Sequence, residues 1–141
     1  YHLEHNVEYS DLKRLPSGTE VEVFDAVLLR RIYQLAKDSS GTEYLTNYVK
    51  FHGDQFKTAS VPVQPKHSRN WRLTIDTEED FKVICTLLQA MKGKGKSLNY
   101  RMDDIVEFFE ENPQILEINS KRIQRQAPLN VCAELDWRRL L

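Results

Sequence analysis

The sequence predicts an α/β domain in which a small, mixed sheet is flanked by helices. Two segments carry this prediction, because each changes within a few residues from the alternation of a strand to the spacing of a helix. The first is Thr19–Phe24 with the residues after it, and the second is Trp71–Ile75 with the residues after it. The chain has 141 residues, of which 40% are apolar, so it is long enough to bury one core.

The first strand–helix pair is preceded by a strand pattern near Asn6–Tyr9 and by a turn at Leu15–Gly18. In this turn Pro fixes one φ angle and Gly can adopt a positive φ. The strand Thr19–Phe24 leaves the turn, and Asp25 is predicted to cap a helix that ends near Lys37. The buried stripe of that helix is predicted to be Leu28, Ile32 and Leu35.

Between the two strand–helix pairs the sequence predicts a short helix, a strand and a linker. Thr42 is predicted to cap the short helix, which runs to Val49. Phe56–Val63 has the composition of a strand, but Pro62 removes a backbone donor, so its end belongs on a sheet edge or in a loop. Pro65–Asn70 is predicted to be a linker.

The second strand–helix pair contains the carboxylate on which most of the functional argument depends. Trp71–Ile75 is predicted to be a buried strand, and Thr77 is predicted to cap the following helix in a reciprocal pair of hydrogen bonds with Asp80. Asp76 then lies at the carboxyl end of the strand, where open α/β sheets bind their ligands. The residues predicted to be buried here are Leu73, Ile75, Phe81, Ile84, Leu88 and Met91.

The last third of the chain is predicted to hold one further helix, Met102–Glu111, with Ile105, Phe108 and Phe109 buried and with Pro113 ending it. Residues 120–141 give no pattern to which a role can be assigned. The segment Ala90–Ser97 satisfies the loose phosphate-loop pattern. A phosphate loop follows a strand, however, whereas this segment follows a helix, so we interpret it as a lysine-rich linker.

Charge and cysteine content exclude some classes of protein. The net charge of −1 shows no basic excess that would indicate nucleic-acid binding. No apolar run approaches the ~18 residues of a membrane span, and nothing resembles a signal peptide. Cys85 and Cys132 lack metal-site spacing, so we expect free thiols and a cytoplasmic location. The chain does not begin with Met, so we expect a piece of a longer polypeptide.

Three motifs occur in an order that resembles the cytidylyltransferase family. They are Pro16–Phe24, Glu43–Tyr48 and Arg72–Phe81, and they resemble successive C-terminal motifs of the spore coat polysaccharide biosynthesis protein F type. This type is related to the synthetases of CMP-3-deoxy-manno-octulosonate and CMP-sialic acid. The order and spacing agree over residues 9–91 and more loosely over residues 100–119.

The resemblance implies the C-terminal part of a nucleotide-diphospho-sugar transferase-like fold and the chemistry of a nucleotidyltransferase. The family transfers a cytidylyl group from CTP to a sugar or sugar acid for surface polysaccharide biosynthesis, and it uses magnesium. By resemblance, Asp76 is the metal ligand, and Glu22 and Arg72 are the substrate-binding residues. Glu22 would lie at the sugar-facing end of its strand, and Arg72 would support a substrate carboxylate or Asp76 itself. Residues 1–91 are the family-like part, residues 92–119 a linker and helix, and residues 120–141 an unassigned tail.

Other interpretations stay open at this point. The glycine-rich loop that binds the CTP phosphates in the family is absent, so we expect these residues alone to be inactive. The alternative is that the chain is a non-catalytic module, which keeps half of the fold in order to dimerise or to bind a partner. In the first case the product would be a homodimer. Asp76 can equally be a helix-end carboxylate, Glu22 a solvated strand residue and Arg72 half of a surface ion pair.

Overall fold

The computed structural model describes residues 1–37, 45–123 and 134–140. The chain forms two compact units, each built from segments that are separated in the sequence. Unit 1 comprises the described residues of Tyr1–Asp11, Val21–Val61 and Arg125–Leu141, and unit 2 comprises those of Leu12–Glu20 and Pro62–Gln124. The division of the sequence at residues 91 and 119 stays a prediction.

Unit 1 contains a three-stranded sheet with strands β1 (Tyr9–Asp11), β2 (Glu22–Phe24) and β3 (Thr58–Ser60) in the order β2-β1-β3. Strand β1 is antiparallel to β2 and parallel to β3, so the sheet is mixed, as predicted. The strand predicted near Asn6–Tyr9 begins only at Tyr9, as β1. Of the strand predicted over Thr19–Phe24, only Glu22–Phe24 form a strand, which is β2. The predicted α/β class with a small, mixed sheet is confirmed.

Two helices of unit 1 pack near this sheet, α1 (Ala26–Leu35) and α2 (Leu45–Phe51). The predicted stripe of α1 is confirmed, because Leu28, Ile32 and Leu35 are buried. Asp25 is the N-cap residue of α1, but its side chain makes no cap hydrogen bond. It lies instead 3.2 Å from Nε2 of His2. The predicted cap at Thr42 lies outside the described residues.

Residues 134–140, which the sequence left without a role, close the end of α1. Leu135 forms an isolated antiparallel bridge with Ala36, and the N–H of Asp136 donates to the carbonyl of Leu35 at 2.7 Å. A 3₁₀ helix, Trp137–Leu140, follows, and its Trp137 ring lies against the core of unit 1. That core consists of Tyr9, Leu28, Ile32, Leu35, Tyr48, Val49, Phe56 and Leu135.

Unit 2 is mostly helical, with α3 (Glu78–Gly93), α4 (Met102–Glu111) and α5 (Pro113–Glu117). Helix α4 has the predicted bounds. Pro113 ends it as predicted and then begins α5, because the first helical turn tolerates the missing N–H of proline. The linker predicted at Pro65–Asn70 contains a 3₁₀ turn. The core of unit 2 consists of Leu73, Val83, Leu87, Met91, Ile105, Phe108 and Phe109.

The strand predicted at Trp71–Ile75 is wrong. The segment makes one isolated parallel bridge, between Arg72 and Ser17, and no ladder. Leu73 is buried as predicted, but the Ile75 side chain is 58% exposed. The physical reason is that a strand needs a neighbouring strand to pair with, and among the described residues no backbone–backbone hydrogen bond involves Thr74 or Ile75.

The buried face of α3 also differs from the prediction. Phe81 is 58% exposed and Leu88 is 37% exposed, whereas Ile84 is partly buried and Met91 is buried. The residues of α3 that are buried are Asp80, Val83, Leu87 and Met91. Hydrophobic spacing alone favoured the stripe through Phe81, but the ionic contacts of Asp80 turn the neighbouring face inward.

The glycine- and lysine-rich segment after α3 is not a phosphate loop. Helix α3 continues to Gly93, so the segment leaves a helix, as the sequence indicated. Lys94 then lies 3.3 Å from Glu107, and Lys96 is paired with Asp104. Cys85 carries a free thiol, while Cys132 lies outside the described residues. No described helix is both long and apolar enough to cross a membrane.

Candidate functional site

The first turn of α3 is fixed by a capping box between Thr77 and Asp80. The N–H of Asp80 donates to Oγ1 of Thr77 at 3.3 Å, and the N–H of Thr77 donates to Oδ2 of Asp80 at 3.0 Å. This pair was predicted from the sequence and is confirmed. Oδ2 of Asp80 also accepts from the N–H of Asp76 at 3.1 Å. The backbone that carries Asp76 is therefore held by the Asp80 carboxylate.

Arg72 binds the same carboxylate from the preceding segment. Its Nε donates to Oδ1 of Asp80 and its Nη2 donates to Oδ2, both at 2.9 Å, which is a bidentate ion pair. Nη2 also donates to Oδ2 of Asp76 at 2.7 Å. Arg72 is thus shared between two carboxylates, with 12% of its side chain exposed.

Asn119, which follows α5, completes the network. Its Nδ2 donates to Oδ1 of Asp80 at 2.8 Å and to the carbonyl of Arg72 at 3.0 Å. Asn119 is 2% exposed and Asp80 is fully buried, so these bonds form where little water competes. We call Arg72, Asp76, Asp80 and Asn119 the Arg72 network.

Electrostatics keep the buried pair ionised. The hydrogen bonds from Arg72 hold the pKa of Asp80 far below its usual range, and they outweigh the burial that would raise it. The bonds from Asn119 and from the backbone of Asp76 act in the same direction. Conversely, the hydrogen bonds to Asp80 raise the pKa of Arg72. Asp80 is therefore ionised at neutral pH as the counter-ion of Arg72, and both of its oxygens accept hydrogen bonds from protein donors.

Asp76 differs from Asp80 because its side chain is 42% exposed. Its contact with Arg72 fixes the direction of the carboxylate while leaving it open to a ligand. Magnesium sites that bind nucleotides commonly use one or two carboxylates together with waters and phosphate oxygens, so Asp76 fits the role of a single ligand. Within residues 1–37, 45–123 and 134–140, no group of three or more His, Cys, Asp or Glu side chains could hold a metal.

A cavity of about 430 Å³ borders the Arg72 network. Arg72 and Asn119 of the network line it, together with residues that include Trp71 and Arg122. The guanidinium of Arg122 lies 2.6 Å from Glu79 in the first turn of α3. The residues that line the cavity do not include Asp76, so the cavity and the exposed carboxylate are separate features of unit 2.

Glu22 lies in unit 1, on the edge strand β2. Its carboxylate accepts from the hydroxyl of Tyr9 at 2.9 Å and from Oγ1 of Thr46 at 2.7 Å. Burial, with the neighbouring carboxylates of Glu22 and Asp11, raises the pKa of the Tyr9 phenol, so the phenol stays protonated and donates. Two motifs of the sequence resemblance, those containing Glu22 and Thr46, therefore meet through this carboxylate.

Sequence reasoning singled out Arg72 and Asp76, and the structure brings them together in unit 2. It missed Asn119 and the burial of Asp80. The capping pattern identified Asp80 as a cap, but a cap residue can equally be exposed. Asn119 lies 39 residues from Asp80 along the chain, so no local pattern indicates their contact.

Comparisons with known proteins give relatives of greater length. No protein-family model matches the chain. The chain is 31% identical over 126 residues to an uncharacterised protein of Methanocaldococcus jannaschii, covering 89% of this chain and 50% of that protein. It is 25% identical over 114 residues to the spore coat polysaccharide biosynthesis protein SpsF of Bacillus subtilis, and this match covers 79% of this chain and 46% of that protein. The chain thus spans about half the length of the curated relatives it matches.

A solved structure decides the fold. A cytidylyltransferase from Leptospira borgpetersenii matches 85% of this chain with a TM-score of 0.69 and 21% identity, and the match covers 48% of that protein. The fold is that of a cytidylyltransferase. The resemblance inferred from the three motifs is therefore confirmed at the level of the fold.

Proposed function

We propose that this chain is part of a cytidylyltransferase that activates a sugar or sugar acid with CTP and releases pyrophosphate. The observation that supports this proposal is the half-length match to a cytidylyltransferase fold, joined to an exposed carboxylate held at the N-terminus of α3. We further propose that the activated sugar enters surface polysaccharide, in keeping with the name of the Bacillus relative. For such an enzyme we expect a cytoplasmic location.

Asp76 is the residue to which we assign the metal. When bound, magnesium would neutralise charge on the triphosphate and on the departing pyrophosphate. The chain's own contribution is to hold one oxygen ligand in a fixed direction, through the contact with Arg72 and through the bond from the Asp76 N–H to Asp80. Preorganised charges of this kind need no rearrangement during the reaction.

Arg72 is better suited to holding Asp76 than to binding a substrate carboxylate directly. Its guanidinium already donates to two carboxylates, and 12% of the side chain is exposed. A substrate carboxylate at the same group would have to compete with the buried Asp80. We therefore assign to Arg72 a positioning role in substrate and metal binding.

Glu22 is the residue of unit 1 that we assign to the sugar. Both of its oxygens accept a hydrogen bond from the protein, which orients the carboxylate, and the side chain is exposed. A carboxylate accepts from sugar hydroxyls in the same way as it accepts from Thr46 and Tyr9. Replacing Glu22 by Gln should therefore raise the KM for the sugar more than it lowers kcat.

The experiment that tests the proposal uses a polypeptide of the relatives' length that contains these residues. Pyrophosphate release is followed with CTP, magnesium and a panel of sugars and sugar acids, and ATP, GTP and UTP serve as controls. Release that requires both CTP and one acceptor supports the proposal. The 141-residue chain alone should release none, because it lacks the phosphate-binding loop.

The opposite outcome favours the second candidate function. A longer protein that folds, binds no CTP and turns over none of the acceptors would be the non-catalytic module for dimerisation or partner binding. Analytical ultracentrifugation of that protein would then distinguish a homodimer from a monomer.

A further inference from the structure

Asn119 joins the Arg72 network from a distant part of the sequence of unit 2. It follows α5, whose Ile115 and Leu116 pack against the core of that unit. The next turn is closed by a hydrogen bond of 2.9 Å from the N–H of Arg122 to the carbonyl of Asn119. The packing of α5 and this turn therefore fix the backbone that carries Asn119, which is 2% exposed.

The side chain of Asn119 is matched to its two partners by the number of its donors. The amide nitrogen carries two N–H groups, and it has two acceptors, the carbonyl of Arg72 at 3.0 Å and Oδ1 of Asp80 at 2.8 Å. A carboxylate in its place would turn acceptors toward acceptors, and an aliphatic side chain would donate to neither. The position therefore requires an amide and not only a side chain of the right size.

These two bonds hold both members of the ion pair between Arg72 and Asp80. One bond fixes the backbone of Arg72, and the other fixes the Asp80 carboxylate at Oδ1, which also accepts from Nε of Arg72. The other oxygen, Oδ2, accepts from the N–H of Asp76 and from Nη2 of Arg72. Nη2 in turn donates to the Asp76 carboxylate at 2.7 Å. A rotation of the Asp80 carboxylate would therefore move both groups that orient Asp76.

We propose that Asn119 is a positioning residue, which holds the Asp76 carboxylate in the direction that binds magnesium. It acts through Asp80 and Arg72 and not by contact with the ion. Removal of a group that orients a metal ligand commonly lowers metal affinity or activity by about 10- to 100-fold. The role of the metal in this inference rests on the proposed function, whereas the orientation of Asp76 can be measured without it.

Asn119→Ala is the test variant, and Asn112→Ala is the matched control. Asn112 is a partly buried asparagine of the same unit, outside the Arg72 network, and its Nδ2 donates to the carbonyl of Phe108 at 2.9 Å. Both variants remove an amide hydrogen bond, so both should lower the melting temperature. Asn119→Ser is a second variant, because one hydroxyl donor cannot serve both acceptors, and it replaces Asn119→Ala in the test if that variant does not fold.

The first measurement is the set of three-bond couplings about χ1 of Asp76. They are recorded by NMR on the polypeptide of the relatives' length, without CTP or magnesium. In the wild type and in Asn112→Ala the couplings should indicate one staggered rotamer, because Arg72 holds the carboxylate. In Asn119→Ala they should move to the average of several rotamers. Couplings that still indicate one rotamer in Asn119→Ala would overturn the proposal.

The second measurement is the magnesium concentration that gives half-maximal pyrophosphate release from CTP. It should rise about tenfold or more in Asn119→Ala and stay at the wild-type value in Asn112→Ala, while kcat at saturating magnesium should fall less. An equal magnesium requirement in the two variants would overturn the proposal, because loss of stability alone would then explain both. If the wild type releases no pyrophosphate, the proposed function fails, and the couplings alone decide whether Asn119 positions Asp76.

Discussion

Replacing Asp80 by Asn should destabilise the protein far more than the loss of a helix cap. Asparagine keeps the shape of the side chain but removes its negative charge. Within the Arg72 network, the guanidinium then has Asp76 as its remaining counter-ion. The Asp80 carboxylate accepts from Arg72 at 2.9 Å, from Asn119 at 2.8 Å and from two backbone N–H groups. An amide can replace only part of these acceptors, because it presents one oxygen and two donors.

The magnitude follows from burial. Removal of one partner from a buried ion pair costs about 3–5 kcal/mol when the remaining charge is left without compensation, and the half-exposed Asp76 replaces only part of the compensation that the buried Asp80 gives to Arg72. A cap alone contributes about 1 kcal/mol, which is the loss that the capping pattern by itself would predict for Asp80→Asn. Because Asp80 is fully buried and Arg72 is 12% exposed, we expect the larger range.

The assay is chemical denaturation at pH 7, with Asp104→Asn as the matched control. Asp104 accepts from the backbone N–H of Arg101 at 2.8 Å near the start of α4, as Asp80 does in α3, but its cationic partner is the more exposed Lys96. The control should therefore lose clearly less stability. A loss below about 1.5 kcal/mol for Asp80→Asn, or losses that are equal in the two variants, would refute the reasoning.

The difference between wild type and Asp80→Asn should also depend on pH. The pKa of Asp80 is lower in the folded protein than the ~3.9 of an unfolded aspartate. Its contribution is then fully present above about pH 5 and is lost as the pH falls below about 4 toward the folded pKa. The difference in the free energy of unfolding should narrow on acidification. A difference that stays constant from pH 7 to pH 3 would contradict this assignment.

Two further predictions concern packing in unit 2. Gly18→Ala should lower the free energy of unfolding by more than about 2 kcal/mol, because Gly18 has a φ of +96° and a Cβ there would lie 2.5 Å from the carbonyl oxygen of Leu73. Gly93→Ala is the control, measured by the same thermal melting. Its Cβ would meet open space, so the variant should be as stable as the wild type or slightly more stable. Leu87→Ala should cost about 2–5 kcal/mol and Ile75→Ala much less, because Leu87 is 3% and Ile75 58% exposed. Similar losses for the two apolar variants would show that the buried face of α3 is misassigned.

Local patterns predicted the elements whose formation depends on nearby residues. The stripe of α1 at Leu28, Ile32 and Leu35 follows from helical spacing, and Thr77 caps α3 because its hydroxyl lies within reach of the next turn. The turn that contains Gly18 was recognised because Pro and Gly restrict the backbone independently of the rest of the chain.

The failures share a physical cause, which is dependence on distant residues. Trp71–Ile75 has the alternation of a strand, but a ladder forms only where a neighbouring strand is present. On α3, two apolar stripes competed for the core, and the choice between them follows the contacts of Asp80 with Arg72 and Asn119. Neither contact can be inferred from periodicity, because hydrophobic spacing contains no information on buried ion pairs.

Asp76→Asn, made in the polypeptide of the relatives' length, gives the most direct test of the proposed catalytic role. The variant should fold normally. The Asp76 side chain is 42% exposed, so its ion pair with Arg72 contributes at most about 1 kcal/mol to stability. Glu117→Gln serves as the control, because Glu117 is an exposed carboxylate of α5 outside the Arg72 network.

The measurement is magnesium-dependent pyrophosphate release from CTP, made beside thermal melting of the same samples. If Asp76 holds the ion, its loss should lower the rate about 10²-fold or more, equivalent to about 3 kcal/mol of transition-state stabilisation, and should raise the magnesium concentration needed for half-maximal rate. Glu117→Gln should match the wild type in both readouts. An unchanged rate and an unchanged magnesium requirement in Asp76→Asn would contradict the proposal and leave Asp76 as a helix-end carboxylate paired with Arg72.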